Sequence, residues 1–188
     1  MDEELWNWHQ HGWRHTNWQK EGKKCEFGSE RAAERQHEDI LQGRSKMERI
    51  FGPNSVPVFT PPWDRFSPAT LRILRKLDFK GISATDPFPP GLKSSYGIKR
   101  FPVRLDLHMR KAQNPAGDFA LLIDQFCGLS KMKGLTGIVI HHQRMTLFAF
   151  EFLDRMLFNL KYVMKVRFSS FKEILKIPDK KPAGARLR

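Results

Sequence analysis

The sequence predicts an α/β fold with a largely parallel sheet, arranged as a barrel or as an open sheet. Segments typical of strands alternate with segments typical of helices along the whole chain, and no internal repeat or domain boundary interrupts them. The 188 residues fit one domain, and 40% hydrophobic residues with 15 phenylalanines indicate a packed core. We therefore expect one domain over residues 1–177 and a basic, disordered tail over residues 178–188.

The predicted elements follow from hydrophobic periodicity and from residues that begin or end helices. Ser29 is the expected cap of the first helix, which Gly52 ends, and Ser67 followed by Pro68 begins the second. In chain order the predicted elements are strand 5–10, helix 28–50, strand 56–60, helix 67–77, strand 81–84, strand 101–107, helix 117–134, strand 136–141, helix 145–164, strand 165–170 and helix 171–177.

Three segments carry further expectations. Pro102 weakens the prediction of strand 101–107, since proline donates no backbone hydrogen bond. The segment TGIVIH (136–141) is the clearest buried strand of the chain. Helix 145–164 is apolar on most sides, which predicts that it is deeply buried.

Charge and cysteine content narrow the class of protein. The net charge of +13 suggests a nucleic-acid binder, but the basic residues are spread along the chain and do not alternate with aromatic residues. We therefore expect no nucleic-acid partner, and keep a basic nucleic-acid binder as a rival hypothesis. There is no 18-residue apolar run and no secretory signal pattern, and the two cysteines, Cys25 and Cys127, suit a reducing compartment. These features predict a soluble cytoplasmic chain without a membrane partner.

Candidate functional residues follow four of the predicted strands, each at the point where the strand ends. In a parallel α/β fold these carboxyl ends share one edge of the sheet, where active sites lie. The sequence therefore predicts that groups spread over 130 residues converge in space. They are His11 and His15, the run Pro61, Pro62 and Trp63, Asp106, and His141.

The pair His11 and His15, in HGWRH, has the spacing of two zinc ligands. It is not a thermolysin-type motif, because Gly12 stands where that motif has its glutamate. The alternative is that both are surface or packing histidines. In FTPPWDRF (59–66) two prolines predict a rigid turn that presents the Trp63 N–H to a pocket, or else a structural turn with a buried tryptophan.

Adjacent histidines end the predicted strand 136–141. Successive strand residues face opposite ways, so one of His141 and His142 faces the site, where histidine is the usual general acid. We assign that role to His141. The residues expected to bind substrate lie at the same strand ends and are Pro61, Pro62, Asp64, Arg65 and His142.

The stretches HGWRH, TPPWD, LDL and VIH, in this order, resemble the polysaccharide deacetylases of the NodB-homology type, which are metal-dependent carbohydrate esterases. The resemblance covers nearly the whole chain and implies a deformed (β/α) barrel. It implies zinc on His11, His15 and an upstream aspartate, the Trp63 N–H as oxyanion donor, and His141 as acid with Asp106 orienting it. The substrate would be an acetylated carbohydrate, which loses N- or O-acetyl groups.

Two departures from the family pattern are visible. The family opens with a strand ending in two aspartates, one a metal ligand and one the base; Glu4 cannot replace them, because it lies roughly 23 Å from His11 in an extended chain. Thr60 stands where the family has an arginine, and Arg65 is the nearby substitute. We therefore expect a member shortened at its N-terminus, without its first strand and with impaired activity. The alternative is a non-catalytic remnant that binds a glycan or a protein partner.

Overall fold

Five parallel strands form one sheet in the computed structural model, which describes residues 7–85, 88, 97–107, 114–129 and 134–176. The strands lie side by side in chain order, and the sheet curls into a half-barrel, which confirms the predicted α/β class. The strands are β1 Trp8–His11, β2 Ser55–Thr60, β3 Gly81–Thr85, β4 Lys99–Asp106 and β5 Gly137–Val139. The α-helices are α1 Ala33–Phe51, α2 Pro68–Lys76, α3 Pro115–Leu129, α4 Leu147–Phe158 and α5 Phe171–Lys176.

The second helix, α2, begins as its sequence predicts. The Ser67 side chain accepts a hydrogen bond from the Thr70 N–H, and Pro68 occupies the first helical position, where its missing N–H costs nothing. The first helix differs at its start: α1 begins at Ala33, and Ser29 lies in a turn before it. The buried Gln36 amide holds that turn by donating to the carbonyls of Gly28 and Arg31.

Helices α1 and α2 cover the convex face of the half-barrel. Phe59 and Ile82 of the sheet pack there against helix side chains, and Phe27 from the β1–α1 loop joins them. The Thr70 hydroxyl lies in this core; it donates a hydrogen bond to the Phe27 carbonyl or to Gln36 Oε1, each 2.9 Å away. The buried side chains of Ser67, Thr70 and Gln36 are thus paired with one another or with backbone groups, as a stable interior requires.

The last helix, α5, packs against the concave face. Phe171 contacts the rings of His9 and Phe101 edge to face, and Ile174 packs with Val56 and Val58 of β2. Residues 56 and 58 alternate with Phe59 along the strand, so they face the opposite side from α1 and α2. Helix α5 therefore packs on the face of the sheet opposite α1 and α2, where it contacts β1, β2 and β4.

Strand β4 joins two different cores. Phe101 belongs to the concave cluster, whereas Leu105 packs with α3 and α4 through Leu122 and Met156. Phe101, Val103 and Leu105 are the buried positions of the strand and alternate with less buried residues. The pairing of β4 with β5 shifts register between Val103 and Leu105, which is where the strand passes from one cluster to the other. The predicted strand is present despite Pro102, which lies one residue before β5 begins to pair.

Two burial predictions for the C-terminal half are wrong. β5 is only three residues long and half-buried, because it is the edge strand of the described sheet. Helix α4 was expected to be deeply buried, yet Leu147 is 77% and Phe148 62% exposed, and within α4 only Met156 is buried. Both expectations assumed neighbours on all sides, and nothing in the described part of the chain covers that side.

Other predictions are wrong or fall outside the described ranges. The segment 165–170 forms no strand and is mostly exposed. The tail 178–188 and most of the loop between β3 and β4 lie outside the described residues. Across the ranges that are described, every helix is too short or too polar to cross a membrane.

The exposed apolar side of α4 predicts that the folded chain binds hydrophobic dyes. It includes a cavity of about 340 Å³, lined by Asp154, Leu157, Phe158, Lys161, Tyr162 and Phe168. The double substitution Leu147→Glu/Phe148→Lys should reduce the fluorescence of bound dye and leave the unfolding free energy within about 0.5 kcal/mol of the parent. The control is Ile50→Lys, at an exposed apolar position on α1. Equal dye fluorescence in the parent and the double variant would contradict the prediction.

Candidate functional site

The four groups predicted to converge all lie at the carboxyl edge of the sheet, here called the rim. His11 is the last residue of β1, and Asp106 the last residue of β4. The turn from Pro61 to Asp64 directly follows β2, and His141 comes two residues after β5. The parallel strand order therefore brings residues that are far apart in sequence to one edge of the half-barrel.

The two predicted metal ligands form a close pair. The ring centroids of His11 and His15 lie 5.4 Å apart, and the His15 ring lies 4.2 Å from the Trp63 ring. His15 has a positive φ of 56°, a left-handed conformation that non-glycine residues seldom adopt. The β1 loop thus turns back on itself and brings both imidazoles beside the turn that follows β2.

A buried carboxylate, that of Glu26, holds this loop from beneath. It accepts hydrogen bonds from three consecutive backbone N–H groups, those of Trp13 at 3.3 Å, Arg14 at 2.8 Å and His15 at 3.2 Å. Glu26 has no exposed surface. The sequence analysis missed this residue, because a single glutamate between Cys25 and Phe27 shows no pattern that distinguishes it from a surface glutamate.

Gly12 allows the loop to lie directly on its support. Its φ is +60°, and its N–H donates to the Thr60 carbonyl at 3.1 Å. A Cβ atom at this position would stand 2.4 Å from Pro62 Cγ and 2.5 Å from Glu26 Oε2. Only glycine fits here, on both conformational and steric grounds.

The turn after β2 is rigid, as the two prolines predict. The Pro61 and Pro62 side chains are fully buried, and their carbonyls accept the N–H groups of Asp64 and Arg65. Trp63 and Asp64 both have left-handed backbones, with φ of 54° and 58°. With His15, three of the five non-glycine residues of positive φ in the described ranges lie at this rim. Such concentrated strain is typical of functional sites.

Neighbouring charges and burial set the protonation of the histidines. Burial lowers the pKa of His11, and the nearby imidazole of His15 lowers it further, while the Glu26 and Asp64 carboxylates act in the opposite direction. Burial also lowers the pKa of His9, whose Nε2 lies 2.9 Å from Thr60 Oγ1. Neutral imidazole is the form that binds metal ions.

His9 is a second rim-side residue that the sequence analysis did not select. His9 precedes His11 by two positions along β1 and therefore lies on the same, concave face. The period-two pattern contained this signal. Its hydrogen bond to Thr60 and its contact with Phe171 engage the ring within the fold.

The predicted acid and its orienting residue meet at the other side of the rim. His141 Nε2 lies 3.3 Å from Asp106 Oδ1, and both side chains are about half exposed. His142 is exposed and begins a short 3₁₀ turn. Four strand spacings, roughly 19 Å measured along the sheet, separate β5 from β1. The candidate residues therefore form two groups, one at the end of β1 and β2 and one at the end of β4 and β5.

Asp64 and Arg65 contact parts of the protein itself. The Asp64 carboxylate accepts a hydrogen bond from the Thr85 hydroxyl at 2.7 Å. The Arg65 guanidinium donates to the Lys24 carbonyl at 3.0 Å, so it holds the β1–α1 loop.

The histidine pair suits a metal in spacing but is incomplete as a metal centre. Two imidazoles that share a tetrahedral zinc, with Zn–N distances of about 2.0–2.1 Å, have ring centroids about 5 Å apart. The observed 5.4 Å agrees with that value. Among the described residues, however, no three His, Cys, Asp or Glu side chains are grouped to hold a metal ion.

The two cysteines should differ in reactivity, because Cys25 lies in the loop beneath the histidine pair and Cys127 lies on α3. Cys25 is buried, its thiol donates to the Arg65 carbonyl at 3.3 Å, and burial raises its pKa, whereas Cys127 is exposed. Because the thiolate is the reactive form, iodoacetamide at pH 8 should label Cys127 quickly and Cys25 only in unfolded chains. Peptide mass analysis of the labelled protein measures this, with urea-unfolded protein as the control. Equal labelling rates in the native protein would mean that the loop opens readily.

Comparison with known proteins adds no relative: no protein-family model matches the chain, and neither curated proteins nor solved structures give a significant match.

Proposed function

We propose that the chain is a metal-dependent hydrolase of the polysaccharide deacetylase type, which removes acetyl groups from a carbohydrate. The observation that carries the proposal is the pair of imidazoles of His11 and His15, 5.4 Å apart at the carboxyl edge of a parallel half-barrel. The order of the four rim groups along the chain and the barrel-like curl of the sheet support the same assignment.

His11 and His15 would hold the metal, and zinc is the ion that suits two histidine ligands best. When bound, a divalent metal polarises the acetyl carbonyl and makes water a stronger nucleophile. The proposed contribution of the chain itself begins with position: the turn from Pro61 to Asp64 carries Trp63, whose ring lies 4.2 Å from the His15 ring.

Each remaining group has a defined role in breaking the acetyl C–N or C–O bond. The Trp63 N–H donates to the carbonyl oxygen as negative charge develops there, since the neighbouring Asp64 and Arg65 N–H groups already bond within the turn. His141 gives its proton to the departing amine or alcohol. Asp106, 3.3 Å from His141 Nε2, orients the imidazole and stabilises its charged form. The products are acetate and the deacetylated sugar.

A binding protein without catalysis is the second candidate. The observation that favours it is that the described residues place two histidines together without a third metal-binding side chain. A general base is likewise not identified among the described rim residues. A chain of this kind would hold an acetylated glycan, or a protein partner, without turnover.

The first test is metal binding by the histidine pair. Calorimetric titration with zinc should show one weak site, because two protein ligands leave the other coordination positions to water. His11→Ala should abolish it, whereas His37→Ala, at a half-buried position of α1, should not. If the double variant His11→Ala/His15→Ala binds zinc as tightly as the parent, the metal assignment is wrong.

The second test is acetate release from N-acetylglucosamine oligomers and O-acetylated sugars, measured with and without a chelator. The chain alone should release very little, because losing a general base typically costs about 10²- to 10⁴-fold. A fusion carrying, before residue 1, a strand that ends in two aspartates would supply a base and a third metal ligand. It should release acetate in a zinc-dependent manner.

In that fusion, His141→Ala should lower turnover by about 10²- to 10⁴-fold, as expected for loss of a general acid. His142→Ala is the comparison and should lower turnover far less, since the contact with Asp106 is made by His141. A fusion that folds cooperatively and binds zinc, yet releases no acetate from any substrate, would favour the binding-protein candidate.

A further inference from the structure

We propose that Glu26 is a positioning residue, whose carboxylate sets the backbone between His11 and His15 so that the two imidazoles are paired before any ligand arrives. The inference rests on the proposed function for the identity of what the pair binds. The positioning itself is a property of the metal-free chain and can be measured there.

The placement of the Glu26 carboxylate is the first argument. A carboxylate without exposed surface is costly unless hydrogen bonds or cations compensate for the lost water. Within the described ranges Glu26 forms no salt bridge, and its hydrogen bonds come from the consecutive N–H groups of Trp13, Arg14 and His15. Consecutive N–H groups that converge in this way form an anion-binding nest. Here the nest lies between the two histidines, and the chain fills it with its own anion.

The conformation of His15 is the second argument. Its backbone has a φ of 56°, a costly conformation for a residue with a side chain, so surrounding contacts must hold it. Its own N–H is one of the three donors to Glu26. The left-handed backbone turns the His15 ring to within 5.4 Å of His11 and 4.2 Å of Trp63. Loss of the carboxylate would therefore release the conformation that makes the pair.

The fit of Gly12 is the third argument. The absence of a Cβ lets the loop descend until it touches both Pro62 and Glu26 Oε2. The Glu26 carboxylate is therefore in contact with the β1 loop and, through Gly12, coupled to the turn that carries Trp63. The buried Glu26 carboxylate thus fixes the position of the histidine pair relative to the turn that carries the proposed oxyanion donor, Trp63.

The test is Glu26→Gln in the full chain. Glutamine keeps one acceptor oxygen and replaces the other with an NH₂ group, which repels the converging N–H donors. The amide protons of residues 13–15 should lose protection from hydrogen exchange, and the NMR contact between the His11 and His15 rings should weaken. Zinc affinity, measured with zinc alone, should fall by about 10- to 100-fold, as for other residues that orient metal ligands.

The matched control is Glu30→Gln. The Glu30 carboxylate also accepts a backbone N–H, from Lys20, but it is exposed and does not contact the histidine loop. This variant removes the same charge from the same segment and should retain the ring contact and the zinc affinity. A general effect of lost negative charge would instead affect both variants equally.

A second variant, Gly12→Ala, lifts the loop from the carboxylate while leaving Glu26 in place. It should reproduce the loss of amide protection and of the ring contact. Its control is Gly22→Ala, where φ is +78° and nothing lies within 4 Å of the added Cβ, so that backbone strain is present without the collision. If Glu26→Gln does not fold, the comparison of Gly12→Ala with Gly22→Ala tests the positioning role instead.

The outcomes separate the two proposals. If Glu26→Gln folds and keeps the amide protection and the ring contact, the positioning role is overturned. If both Glu26→Gln and Gly12→Ala unfold the chain while their controls fold, Glu26 is a structural residue and the proposal is overturned as well. If the parent binds no zinc but the ring contact still depends on Glu26, the positioning role stands and the proposed function fails.

Discussion

The rim of this protein depends on one buried carboxylate and on the loop segment that carries it. Glu26 lies between Cys25, whose thiol donates to the Arg65 carbonyl, and Phe27, whose carbonyl accepts the Ser67 N–H. Three consecutive residues of the β1–α1 loop thus contact, in turn, the β2–α2 turn, the histidine loop and the start of α2. The segment runs alongside the chain after β2, with a single parallel bridge between Phe27 and Phe66.

The sequence predicted local structure well, because the relevant interactions are short-range. The Ser67–Pro68 start of α2 and the Gly52 stop of α1 involve neighbours within one helical turn, and both are present. Burial was predicted less well. The pattern of residues 145–164 shows correctly that the helix has many apolar side chains. Whether these side chains are buried depends on whether another element covers them, and the spacing of apolar residues does not contain that information. Glu26 was missed for a related reason. Its hydrogen-bond donors, the N–H groups of residues 13–15, are brought to it by the fold of a loop, and no spacing in the sequence predicts that contact.

The two groups of rim residues differ in how firmly they are held. The His11 and His15 pair is packed against Trp63 and is supported by a buried anion. His141 and Asp106 are half exposed, and they follow the edge strand and its irregularly paired neighbour. Firm support matters most for groups that must keep their geometry before a ligand binds, as the proposed metal ligands His11 and His15 must. His141, the proposed proton donor, lies instead at an exposed edge, where a catalytic hydrogen bond can tighten once substrate is bound.

The contact of α5 with the concave face bears on the order in which the molecule folds. Strands that are neighbours in the sheet are also neighbours in the sequence, so the sheet can extend strand by strand as the chain leaves the ribosome. The interior of the half-barrel, by contrast, is formed by contacts between residues that are far apart in the sequence. The Lys172 N–H bonds to the Asn7 side chain across 165 residues of sequence, and Phe171 covers His9. The side of β1 on which the histidines lie is consequently completed only after α5 has been synthesised, through contacts between residues that are far apart in the sequence.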